Sequence, residues 1–165
     1  MSKEEKKLSK NEENYENWKN NYIRYISYYF IPDDLFYEKQ ESLEDLKKEI
    51  KKVFETKNEN KKKKSAWELS ERLIDKMLSY SPKDRENTIK TCISIALKKN
   101  KDYGSDNILD YGLTGLLVRN SDKLSRLINL EKIKTASVEE SIEDTQRDII
   151  NYAVYMQMLC ENCWY

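Results

Sequence analysis

The sequence predicts an all-α protein: an antiparallel helical bundle preceded by a helical extension. Three observations carry that prediction. Apolar residues recur at three- and four-residue spacing in one segment after another. The 165 residues include only 3 Gly and 2 Pro, too few for the turns of an all-β fold. Leu, Ile, Lys and Glu dominate, a composition that suits helices.

Composition bounds the rest. The length suits one domain, divided here into an aromatic-rich helical extension over 1–60 and a helical-bundle domain over 61–165. Hydrophobic content of 38% against 36% charged allows a core, but an economical one. The 30 basic and 30 acidic residues cancel, so no global field draws the chain to nucleic acid or membrane. No apolar run is long enough to cross a bilayer, and MSKEEKKLSK is too polar for a signal peptide; a cytoplasmic location is expected. Cys92, Cys160 and Cys163 are then expected to stay reduced. The C-x-x-C spacing of the last two falls near a helix end and not after a strand, unlike a redox motif. Histidine is absent, which excludes Ser-His and Cys-His catalysis and histidine-bearing zinc sites within this chain.

Residues 1–14 are polar and aperiodic and read as a frayed end. Over Asn14–Phe30, Tyr15, Trp18, Tyr22, Tyr25, Ile26 and Tyr29 mark a helix face suited to packing or to stacking on bases. Pro32 stops it. Ser42 caps the next helix, with Asp45 three residues on; Leu43, Leu46, Ile50, Val53 and Phe54 are its buried set. Thr56–Lys64 has no apolar residue and reads as a linker. Helices are expected over roughly 66–80, 83–99, 107–130 and 138–160. Ser81 or Asp84 can cap the second of these, Asp106 the third, and Thr135 or Ser137 the last. Gly104 lets the chain turn between helices, whereas Gly112 and Gly115 lie inside one and need a reason, close packing or room for a ligand.

Two stripes stand out. Glu140, Asp144 and Asp148 recur every four residues, drifting about 40° per step, with Asn151 beside them. From Ser137 to Tyr165 the only basic residue is Arg147. Stacked carboxylates repel. A magnesium ion, which takes oxygen ligands and often bridges carboxylates to a phosphate, would relieve that repulsion; a solvated acidic face is the plainer alternative. On the preceding helix Gly115, Arg119, Asp122 and Arg126 share a narrow line. An antiparallel return would bring the two stripes to a common cleft, or simply to a salt-bridged interface.

Three segments in order, KKNKDYGSDNI, GLLVRNSDKLSRLINL and EESIEDTQRDIINYAVY, resemble the phage and prophage family called nucleotide-modification-associated domain 1. The likeness spans about Thr88 to Leu159. That family is similar in layout to the all-α nucleoside triphosphate pyrophosphatases of the MazG and dUTPase type. The resemblance implies a helical bundle, often a homodimer, with a nucleotide ligand and Mg2+. It implies metal ligation by Glu140, Asp144 and Asp148, with Asp122 facing them. Lys99, Lys101, Arg119, Lys123 and Arg126 become phosphate contacts, and Asp102, Tyr103 and Asn151 shape the pocket. Where those pyrophosphatases carry a glutamate-x-x-glutamate pair on the earlier helix, this chain has Arg119 and Asp122. The expected activity is magnesium-dependent nucleotide pyrophosphohydrolysis, with Glu143 or Glu140 taking a proton from water. The alternatives are a non-catalytic module that sequesters a nucleotide signal and a protein that binds and inhibits a host enzyme, both anti-defence roles.

Overall fold

The computed structural model describes residues 9–32, 41–133 and 141–164. Among them are six α-helices and no strand: α1 Lys10–Ser27, α2 Leu43–Glu55, α3 Glu59–Ser79, α4 Arg85–Tyr103, α5 Asp106–Ile133 and α6 Ile142–Cys160. The all-α expectation holds. No described helix is long and apolar enough to cross a membrane.

α2, α3, α6 and α5 close a four-helix ring, each lying along the next, while α1 and α4 pack on one another and on α6. Helix α6 is thus the central element. Its middle, Ile149 to Met158, is buried apart from a half-exposed Tyr152, as expected of a helix enclosed on most sides. The N-terminal helices belong to the same hydrophobic core: Trp18, Tyr22, Leu46 and Ile50 are buried in it with Leu73, Leu117 and Val154.

Capping chemistry moves several boundaries. α1 starts at Lys10, inside the stretch expected to fray, because Ser9 and Glu12 form a reciprocal capping box. α2 is capped by Ser42, whose hydroxyl accepts the Asp45 N–H at 3.1 Å, as expected. The predicted linker 56–64 is mostly helix. The Asn58 side chain accepts the Lys61 N–H at 2.9 Å and opens α3 within the lysine run. Lysine is a good helix former, and Lys62 lies over the Phe54 ring and donates to the Phe54 carbonyl at 3.2 Å. α4 continues to Tyr103, and Gly104 ends it at φ 71°. Thr135 and Ser137 lie outside the described residues; the cap of α6 is Ser141.

The two internal glycines of α5 are explained by backbone geometry. Gly112 has φ 55° and ψ −146°, a conformation that L side chains rarely adopt, and it kinks the helix. At Gly115, a Cβ would lie 2.5 Å from the Tyr111 Cβ. At the far end of the fold, α6 closes in a Schellman motif. Asn162 is left-handed (φ 54°), the Cys163 N–H donates to the Met158 carbonyl at 2.7 Å, and the Asn162 N–H donates to that of Leu159 at 3.2 Å. The three cysteines are free thiols.

Gly112→Ala should lower stability by about 1–3 kcal/mol, the usual cost of forcing a side chain into such a conformation. Urea unfolding followed by circular dichroism measures it. An unchanged midpoint would show that the kink does not constrain the native state.

Candidate functional site

The site grows from a buried side chain on α6. Asn151 is 3% exposed. Its Oδ1 accepts the Tyr22 hydroxyl of α1 at 2.6 Å, and its Nδ2 donates to the Cys92 carbonyl of α4 at 3.1 Å. One amide therefore ties three helices. Burial holds its neighbours neutral: the Tyr22 phenol is raised well above the usual tyrosine value, and the Cys92 thiol is pushed up to about 12. Two turns beyond Cys92 is Lys99; one turn before Tyr22 is Trp18; one turn before Asn151 is Asp148.

These residues meet at a cavity of about 300 Å³, which Arg119, Tyr152 and Tyr155 also line. Its inner wall is aromatic. Trp18 stacks on Tyr22 with centroids 5.3 Å apart, and meets Tyr155 and Trp164 edge-on at 6.1 and 5.8 Å. Trp164 is returned to this wall by the Schellman turn, and its Nε1 donates to the Ser105 carbonyl at 3.0 Å. The Trp18 Nε1 is buried without a hydrogen-bond partner. Tyr103, 71% exposed, stands at the rim.

The charged wall is built by α4, α5 and α6 together. Asp148 accepts Lys99 Nζ on Oδ1 at 3.1 Å and Lys123 Nζ on Oδ2 at 2.8 Å. Arg119 lies 5.7 Å from the Tyr152 ring centroid, and Arg126 donates to the Thr145 hydroxyl and, at 3.4 Å, to the Ser141 carbonyl. Read along α5, Arg119, Lys123 and Arg126 meet Tyr152, Asp148 and Thr145 in reverse order, so α5 and α6 run antiparallel. The cationic stripe that faces α6 therefore carries Lys123 where the sequence reading placed Asp122. Relative to Arg119, Lys123 is displaced by about 40° in one sense and Asp122 by about 60° in the other; α6 lies on the lysine side. Asp122 is exposed and lines a separate groove against α2, beside Lys51 and Phe54.

The other expected residues divide in the same way. Lys99, Arg119, Tyr103 and Asn151 line the cavity, and Lys123 reaches it through Asp148. Lys101 sits over the Tyr15 ring at 5.3 Å, and neither it nor the exposed Asp102 lines the cavity. Glu143 borders a separate shallow hollow with Asp84 and Arg147. Glu140 lies outside the described residues. Asp144 is the third residue of the α6 capping box: its N–H donates to the Ser141 hydroxyl at 3.0 Å, and its carboxylate pairs with Arg147 at 3.0 Å. The Ser141 contacts, then Arg147, hold its carboxyl below the ordinary carboxylate value.

The described members of this set, Asp122, Asp144 and Asp148, do not come together at one point. Both oxygens of Asp148 are taken by ammonium groups, those of Asp144 by Arg147 and the Ser141 N–H, and Asp122 faces another groove. Among the described residues, no three His, Cys, Asp or Glu side chains come together as a metal site. What the sequence reading missed is the aromatic wall. Trp18 and Tyr22 carried a signal in their spacing, but Tyr155 and Trp164 join them only through tertiary packing and the Asn162 turn.

Residues 99–159 match the family model described as nucleotide modification associated domain 1. No curated protein and no solved structure matches the chain. The matched stretch holds most of the charged wall and much of the aromatic one, from Lys99 through Arg119, Lys123 and Asp148 to Tyr155.

Asn151→Ala strands the Tyr22 hydroxyl and the Cys92 carbonyl and should cost about 2–4 kcal/mol, with Tyr22→Phe costing about 1–3 kcal/mol. Urea denaturation measures both, and a loss under about 0.5 kcal/mol for Asn151→Ala would show that the three helices do not depend on this link. For Asp144 the folded pKa lies below the ordinary 3.8. The stability it adds is therefore present at neutral pH and is lost as pH falls through that lowered value. Carboxyl-detected NMR should give Asp144 a midpoint under 3.8.

Proposed function

We propose that the chain binds a nucleotide or a nucleotide-derived anion in the cavity between α1, α4, α5 and α6. One observation carries this reading: Lys99 and Arg119 line the same cavity as the Trp18, Tyr152, Tyr155 and Trp164 rings. Ammonium and guanidinium groups recognise phosphate. Aromatic faces and edges suit a base. The volume, about 300 Å³, is at the small end for ligand sites and suits one mononucleotide unit. The family likeness over 99–159, to a domain named for nucleotide modification, supports the same ligand class.

Binding is the better supported activity, and turnover the weaker. Hydrolysis by the expected route needs carboxylates available to magnesium, and Asp144 and Asp148 are already paired with cations of the chain. A protein of this design would act by holding its nucleotide, which favours the sequestering role among the functions considered.

Calorimetry with nucleoside mono-, di- and triphosphates and the parent nucleosides tests the reading. Phosphorylated forms should bind more tightly, and Arg119→Ala should weaken them by about tenfold or more, the loss expected for a charge-assisted contact. Affinity should fall as salt rises. Chromatography of the bound material after denaturation should return the nucleotide intact; pyrophosphate release would restore the hydrolase. No binding by any of the panel would end the proposal.

A further inference from the structure

Resting on that reading, we propose that Asp148 is the specificity-determining residue of the cavity: its carboxylate stands in for a phosphate, and a ligand must carry a phosphate group able to draw Lys99 away from it. Asp148 is the only carboxylate lining the cavity among the described residues. It is 13% exposed, and each of its oxygens engages one lysine from a different helix, at 3.1 and 2.8 Å. A terminal phosphate presents the same pattern of two oxygens on one centre, with a third oxygen to spare and more charge. Arg119, beside them, lies over the Tyr152 ring and has no acidic partner among the described residues. It can receive that third oxygen.

The exchange is possible because the two lysines differ. Lys99 is 49% exposed and Lys123 23% exposed. A half-exposed lysine–carboxylate contact is weak, so Lys99 can leave Asp148 for an incoming anion without unpacking the fold. A neutral nucleoside offers nothing to replace Asp148, and Asp148 repels any anion too weak to capture Lys99. The cavity therefore selects for phosphorylation and selects against the bare base and sugar. In this role the carboxylate opposes the ligand's charge. A metal-bridging carboxylate would assist it. The two roles give opposite signs on mutation.

The test is Asp148→Asn in the full chain, titrated by calorimetry with inorganic pyrophosphate, with the nucleotide that binds wild type best, and with its nucleoside, each with and without magnesium. Asparagine keeps the shape and removes the competing charge. Pyrophosphate and nucleotide should bind about tenfold or more tightly than to wild type without magnesium, while nucleoside affinity stays level. Equal or weaker nucleotide binding by the variant, with wild type binding normally, overturns the inference and leaves the cavity assignment standing. Failure of both proteins to bind any anion removes the cavity assignment and the inference with it. Should the variant not fold, the wild type still decides. The Asp148 carboxyl carbon resonance must move when pyrophosphate saturates the site, because Lys99 has left it, and an unmoved resonance at saturation overturns the inference.

Discussion

Three helices meet at one side-chain amide. Asn151 accepts from Tyr22 and donates to the Cys92 carbonyl, so α1, α4 and α6 are fixed in rotation as well as in distance. Apolar packing alone would tolerate small slips of one helix along another; a buried amide does not, because a slip strands polar groups away from water. The consequence propagates by helical periodicity. Each tethered residue has a cavity residue one or two turns away: Trp18, Lys99 and Asp148. The aromatic wall and the charged wall are brought into register by the same two hydrogen bonds.

The antiparallel pair α5 and α6 shows how charge patterning is resolved when both partners come from the chain. The acidic stretch of α6 lacks lysines of its own, and α5 and α4 supply them. The repulsion that made the stripe conspicuous is relieved by ammonium groups, and by Arg147 and the helix cap at Asp144. The pairing leaves Arg119, over the Tyr152 ring and at the cavity, without an acidic partner among the described residues.

Much of the fold was legible because it rests on local rules. α2 begins where expected since Ser42 caps it, and Leu43, Leu46, Ile50 and Val53 are buried as their period requires; Phe54, expected with them, is 45% exposed at the end of the helix. Lysines without apolar neighbours concealed the first turns of α3, where an Asn58 cap and contacts to Phe54 and Thr114 decide the outcome. The site was half legible. Lys99, Arg119 and Asn151 were marked by motif and spacing and do line the cavity. The choice between Asp122 and Lys123 depended on which side of α5 the next helix lies, a tertiary fact that a periodic stripe cannot contain. Trp164 was hidden for a similar reason: its place is set by one left-handed asparagine, not by a repeat.

The bend at Gly112 divides α5 into a short rod, Asp106 to Tyr111, and a long one that carries Arg119 and Lys123. Asn107 and Ile108 on the short rod border the cavity that Arg119 borders from the long one. The mouth of the cavity is thus framed by two levers joined at a pivot of a single residue. The angle between the two rods, and with it the width of that mouth, follows from the one pair of backbone angles at Gly112.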